Sequence, residues 1–189
     1  MLPDADLGTL MARYQQGDSA AATALVNCLS PLLHRFFLVQ CVSRRYADDL
    51  LQETWLRLHQ VRQTYRPGEP VLPWLYALAR HVRVDHYRRT RRVESREQQV
   101  EQLPEVPTPA QRRPDSSPDL VELLAGLPES QREVVVMLKL SDMSLDEVAR
   151  ATSSSVGSVK QKAHRAYTSL RQRLAGPGLS QVGPGDRHE

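Results

Sequence analysis

The segment Ser144-Leu-Asp-Glu-Val-Ala-Arg-Ala-Thr-Ser-Ser-Ser-Val-Gly-Ser-Val-Lys-Gln-Lys-Ala-His-Arg-Ala166 decides how this chain reads. Ser144 followed by Glu147 is a capping box, in which hydroxyl and carboxylate satisfy backbone N–H groups that a helix start leaves unpaired. Ser153-Ser154-Ser155 supplies a turn. In the helix that follows, Val156, Val159, Ala163, Ala166, Leu170 and Leu174 recur at the spacing of one buried face. Lys160, Gln161, His164 and Arg165 fall on the other face. The pattern predicts a helix-turn-helix whose second helix is polar and basic outside, a shape that fits a DNA major groove. Lysine and arginine donate to guanine O6 and N7, and glutamine pairs bidentately with adenine, so Lys160, Gln161, His164 and Arg165 are candidate base readers. Ser158, near the positive helix N-terminus, and Lys162, on the flank, are candidate phosphate contacts. Just upstream, Leu127-Pro-Glu-Ser-Gln-Arg-Glu-Val-Val-Val-Met137 puts proline in the first turn of a further helix.

Working outward, 189 residues with a net charge of +3 and a pI near 9.1 point to basic segments offset by acidic ones elsewhere. A localised basic surface suits nucleic acid. Few aromatic residues argue against an all-β fold. Cys28 and Cys41 have no CxxC or His/Cys companions, so buried reduced thiols are expected and a metal site is not. No signal peptide is apparent, and the chain reads as lacking an apolar run long enough to span a bilayer, which predicts a cytoplasmic protein.

The first half is also helical in pattern. Asp4 or Asp6 caps a first helix ending near Gly17. Asp18 or Ser19 caps a second, with Leu25, Leu29, Leu32, Leu33, Phe36 and Phe37 on its core face and a kink or restart expected at Pro31. A third runs from about Ala47 to Arg62. There Leu50, Leu51, Thr54, Trp55, Leu58 and Val61 share one arc, whereas Asp49, Gln52, Glu53 and Gln60 share the opposite arc with Leu56 among them. An acidic ridge carrying one apolar knob fits a basic protein partner; a plain solvated face has no need of that leucine. After a loop over residues 66–73, Pro73 opens a fourth helix from Trp74 to about Arg92. Leu75, Leu78, Ala79 and Val82 are its core side, and Arg80, His81, Arg83, Arg88, Arg89, Arg91 and Arg92 form a basic stripe with hardly an acidic partner within the helix. Such a stripe beside aromatics suits a nucleic-acid backbone and unstacked bases. From 94 to 119 prolines and polar residues predict a flexible tether, and the residues after Gly176 a disordered tail. The expected organisation is all-α: two small helical domains at 1–93 and 120–175, a linker at 94–119 and a tail at 176–189.

In this order, Asp48-Asp-Leu-Leu-Gln-Glu-Thr-Trp-Leu-Arg57, Pro73-Trp-Leu-Tyr-Ala-Leu-Ala-Arg-His81 with Asp85 and Arg88-Arg89, Leu127-Pro-Glu-Ser-Gln-Arg-Glu-Val134, and Val156-Gly-Ser-Val-Lys160 with His164-Arg-Ala166 resemble the extracytoplasmic-function (ECF) sigma factors. The likeness covers nearly the whole chain apart from linker and tail. It implies an alternative-sigma transcription initiation factor with no catalytic residues, no metal, no cofactor and no small-molecule substrate. Asp48, Asp49, Gln52, Glu53, Leu56 and His59 would dock on the β′ clamp helices of core RNA polymerase, with the β flap as a further contact. Trp74, Arg80, His81, Arg83, Arg88 and Arg89 would take the −10 element, where the family holds a flipped base. Ser158, Lys160, Gln161, Lys162, His164 and Arg165 would read the −35 element. The acidic start of the tether (Glu94, Glu97, Glu101, Glu105) would thread toward the polymerase active centre. A cognate anti-sigma factor, soluble or membrane-bound, is implied as a partner. His81 stands where the family usually has Asn, His59 where an aromatic is usual, and Ser153-Ser154 where Gly-Ile is common.

Two other readings use fewer of these features. A stand-alone helix-turn-helix regulator leaves the ridge and the arginine stripe without a role. A sigma mimic that titrates an anti-sigma factor predicts no transcription when added to core enzyme. An enzyme reading is weak, since His34, Cys41, Asp85 and His86 have no nucleophile, metal or phosphate-loop spacing.

Overall fold

The computed structural model describes residues 4–41, 44–97 and 120–175. Every regular element among them is helical: α1 (Asp4–Gln15), α2 (Ser19–Gln40), α3 (Arg44–Val61), a 3₁₀ turn (Arg62–Thr64), α4 (Val71–Glu97), α5 (Leu120–Ala125), α6 (Glu129–Leu140), α7 (Leu145–Ala151) and α8 (Val156–Ala175). The all-α expectation holds. The tail and residues 98–119 of the expected tether lie outside the described residues. Helix α4 runs to Glu97, so residues 94–97 of the expected tether are helical.

The local rules act where the sequence places them. Asp18 caps α2, its carboxylate accepting from the N–H groups of Ala20 and Ala21 at 2.9 and 3.0 Å. Those backbone donors, with the guanidinium of Arg13, hold its carboxyl below the usual carboxylate range. The capping box at α7 is complete: Glu147 N–H donates to Ser144 Oγ, and Ser144 N–H to Glu147 Oε2. In the loop before α4, Glu69 N–H closes onto Arg66 C=O with Pro67 and Gly68 between, and Gly68 has φ of 91°. A proline followed by a residue at positive φ is the signature of a type II turn, which glycine adopts without strain.

Three expectations need correction. Helix α2 neither restarts nor breaks at Pro31 but continues from Ser19 to Gln40. Buried Leu29 and Leu33 flank the proline, while Pro31 and Asn27, whose carbonyl loses its partner, are exposed to water. The same helix is also long and apolar enough to cross a membrane by length and composition, its best window reaching a mean hydropathy of 1.4. Its apolar residues are used in packing instead, against α1, α3, α5 and α6. Leu174, expected in the core, is 64% exposed.

The buried side chains form one continuous cluster, from Leu7 and Met11 in α1 through Phe36, Phe37 and Tyr76 to Val134–Met137, Val159 and Ala166. The two helical halves therefore meet. Contact runs along α4 with α7, and along α2 with α5 and α6. Phe36 packs edge-on against Tyr76, with ring centroids 5.2 Å apart. Cys28 and Cys41 are free and half-buried; burial pushes the Cys41 thiol up, against the pull of Arg83 and Arg132.

Candidate nucleic-acid interface and docking ridge

Helix α8 turns its apolar positions inward, Val159, Ala163 and Ala166 being buried, and leaves Lys160, Gln161, His164 and Arg165 exposed on the far side. Ser155 Oγ accepts from Ser158 N–H at 3.2 Å and so caps the first turn. Ser158 is half-buried there. Lys162 reaches back to Ser154 Oγ at 3.4 Å and braces the turn. Ser153 has φ of 49°, the left-handed region that favours glycine, which explains why a serine here is a departure. The helix-turn-helix is thus built on a capped α7, a tight turn and an α8 whose polar face is free to enter a groove.

The ridge on α3 is also present, in part. Leu56 is 66% exposed, and Asp49 and Gln52 are exposed beside it. Asp48 accepts from, or is paired with, His34 Nε2 at 2.9 Å. Glu53 turns toward α4, pairing with Arg89 and lying 3.9 Å from His86 Nδ1. His59 Nδ1 meets Tyr14 Oη at 2.7 Å, tying α3 to α1.

Helix α4 departs most from the sequence expectation. The arginine stripe has hardly an acidic partner within its own helix, and its partners come from other helices instead. Arg80 Nε donates to both oxygens of Glu133 at 3.2 and 3.1 Å, and its Nη1 to Ala151 C=O at 3.3 Å. Arg83 Nη2 donates to Glu133 at 3.1 Å and also pairs with Glu129. Burial works against the Arg83 charge, but the hydrogen bond it donates to Glu129 and the fields of Glu129 and Glu133 outweigh it and hold its pKa up. The same Arg83 bond holds the Glu129 carboxyl below the usual range. His81 and Arg88 are exposed and, with Glu53, Arg57, Asp85 and Arg89, line an open cavity of about 420 Å³. Trp74 is half-buried against Tyr65, centroids 5.6 Å apart. It lines a second cavity of about 400 Å³ with Pro70, Pro73, Ala77 and Arg150.

Several residues at this junction were missed. Arg132 donates to Val39 C=O at 2.7 Å and Leu127 C=O at 3.0 Å, placing a cation at the C-terminal end of α2. Tyr76 Oη and Ser141 Oγ are 2.5 Å apart in a buried bond, and burial lifts the Tyr76 phenol to about 12, so it stays neutral. Glu133 carried a legible signal: it lies four residues before buried Met137 on the same face, and a carboxylate at a buried helical position demands a cation.

A helix-turn-helix thus packs on a helical bundle that exposes part of an acidic ridge. Residues 25–93 match the family model described as Sigma-70 region 2, and residues 118–170 that described as Sigma-70, region 4. The chain is 31% identical to the RNA polymerase sigma factor CarQ of Myxococcus xanthus over 172 residues, 87% of this chain and 95% of that one. It is 32% identical to the ECF RNA polymerase sigma factor SigF of Caulobacter vibrioides over 180 residues, 89% and 93% of the two chains. Similar folds occur in the sigma factor RpoE bound to the anti-sigma factor NepR from Bartonella quintana (TM-score 0.66, 22% identity, 82% and 97% covered). Another is CnrH bound to the cytosolic domain of CnrY (TM-score 0.68, 23% identity, 93% and 100% covered). The chain belongs to the ECF group of RNA polymerase sigma factors. Proteins of this class are transcription initiation factors that direct core RNA polymerase to promoters, and they are not enzymes.

Proposed function

We propose that three surfaces divide the work of initiation. Asp48, Asp49, Gln52, Glu53, Leu56 and His59 dock α3 on the β′ clamp helices of core polymerase. Trp74, Arg80, His81, Arg83, Arg88 and Arg89, with the loop at 66–73, take the −10 element as its strands separate. Ser158, Lys160, Gln161, Lys162, His164 and Arg165 read the −35 element as duplex. The first surface belongs to a domain spanning 1–93 and the third to one spanning 120–175, with 94–119 as the connection and 176–189 as a tail. The protein works in the cytoplasm, where polymerase and DNA are, and an anti-sigma factor is its natural inhibitor. The observation that carries this reading is the exposed Lys160, Gln161, His164 and Arg165 face of α8 on a capped helix-turn-helix, together with an α3 ridge whose Leu56 lies open.

Run-off transcription with purified core polymerase on genomic fragments tests it. Defined start sites are expected only when the protein is present. Replacing Asp49 by Lys is expected to abolish core binding in a pull-down while helix content, read by circular dichroism, stays at the wild-type level. Unchanged capture of core would reject the docking assignment.

A further inference from the structure

We propose that the open cavity between α3 and α4 is a pocket for one unpaired guanine of single-stranded DNA, read by the carboxylate of Asp85. This role rests on the −10 assignment made above for His81, Arg88 and Arg89, and adds to it two residues, Asp85 and Arg57, that have no part in that assignment.

The cavity holds about 420 Å³, within the roughly 300–1,000 Å³ usual for small-ligand sites. Two helix faces build its walls. Glu53 and Arg57 stand one turn apart on α3, and His81, Asp85 and Arg88 follow at helical spacing on α4. Buried Val82 adds an apolar spot to the lining. The cavity at Trp74 is separate, lined by the loop before α4, the first turns of α4 and Arg150.

The two carboxylates in the wall differ. Glu53 is taken: it pairs with Arg89 and lies 3.9 Å from His86 Nδ1, so it fixes Arg89 against α3. Asp85 is exposed, and its carboxylate forms no ion pair among the described residues. Arg57 and Arg88 are exposed beside it. A carboxylate within the recess repels phosphate, which leaves the DNA backbone to the arginines and the recess to a base.

What a carboxylate accepts is N–H, and it is fully used by two donors side by side. Guanine alone of the four bases offers that, through N1–H and its 2-amino group. Cytosine and adenine each present one amino group next to an acceptor, and thymine one N–H between two carbonyls. The guanine edge in question is paired in a duplex, so the pocket takes the base only after its partner strand has left. Arg88, three residues beyond Asp85, then donates to guanine O6. Arg57, across the recess on α3, meets the adjoining phosphate. His81 is the one ring in the lining and gives the base a planar surface to stack on.

The test uses holoenzyme assembled from the full chain and core polymerase. It is offered promoter DNA whose −10 nontemplate strand is single-stranded and randomised, and the bound molecules are sequenced. Wild type is expected to enrich guanine at one position. Asp85→Asn keeps the shape but turns an amide donor toward guanine, and is expected to cut that enrichment about tenfold while preferences at other positions stay. A general loss of structure would lower them all. Inosine at the selected position lacks the 2-amino group, and is expected to weaken wild-type binding several-fold and binding by Asp85→Asn not at all. Arg57→Ala is expected to weaken all sequences alike and to reduce the salt dependence by about one phosphate contact. Guanine enrichment that survives Asp85→Asn, selection of another base at the Asp85-dependent position, or an inosine penalty equal in both proteins overturns the pocket. A wild type with no preference anywhere in the strand rejects the −10 assignment as well, whereas preferences indifferent to Asp85 reject the pocket alone.

Discussion

Two helices of this protein carry dense positive charge, and the tertiary structure treats them in opposite ways. In α4, Arg80, Arg83 and Arg89 each meet a carboxylate from another helix. In α8, Lys160, Gln161, His164 and Arg165 stand in water, over a buried face of Val159, Ala163 and Ala166. The difference lies in what covers each helix. Helix α4 is packed on one side by α3 and on another by α7 of the second body, so its cations meet acids across a seam. Helix α8 is the outer layer of its own body. A basic stripe in a sequence therefore does not by itself mark an open nucleic-acid surface. What decides is whether another element brings acids to it.

The contrast can be broken from either side. The largest effect is expected on α4. Arg80→Ala leaves buried Glu133 with Arg83 alone, and removing one partner of a buried pair costs about 3 kcal/mol, the lower end of the usual range because one cation remains. Hydrogen exchange is expected to show loss of amide protection in α6, with α1 and α2 unaffected; undisturbed α6 protection would mean that the pair contributes little to the seam. On α8, Arg165→Ala removes no internal partner, so stability is expected to stay at the wild-type level. Discrimination between an intact and a scrambled −35 element is expected to fall by about 1–3 kcal/mol. Equal discrimination by wild type and variant in a polymerase footprint would remove Arg165 from the readers.

A smaller effect follows from acid. The Glu129 carboxyl is held low in the folded protein, mainly by its bond to Arg83. Its contribution to the seam is therefore fully present above the ordinary glutamate pKa of about 4.3, and is lost as pH falls through the lower folded value. Compaction is expected to be constant from about pH 7 to 5 and to loosen below about pH 4. Glu129→Gln is expected to weaken that dependence, which scattering across the same range would check.

Much of this molecule was legible from residues alone. The capping box at Ser144 and Glu147, the cap at Asp18 or Ser19, the loop over 66–73 and the split faces of α3 and α8 all depend on neighbours within a few positions. Local hydrogen bonds and helical periodicity act at that range, so the sequence specifies them directly. The same order of motifs carried the family likeness.

The tertiary structure alone decided what depends on residues far apart in the chain. Tyr76 was passed over as core because its partners, Phe36 and Ser141, lie 40 and 65 positions away. Pro31 sits inside an unbroken helix because packing on both sides of it outweighs one lost hydrogen bond. Arg80 and Arg83 of α4 find their acids, Glu129 and Glu133, in the other body, some 50 positions along the chain. Periodicity states which face of a helix is apolar or charged; only the folded chain determines which distant surface that face meets, since burial and Coulomb pairing depend on distance in space.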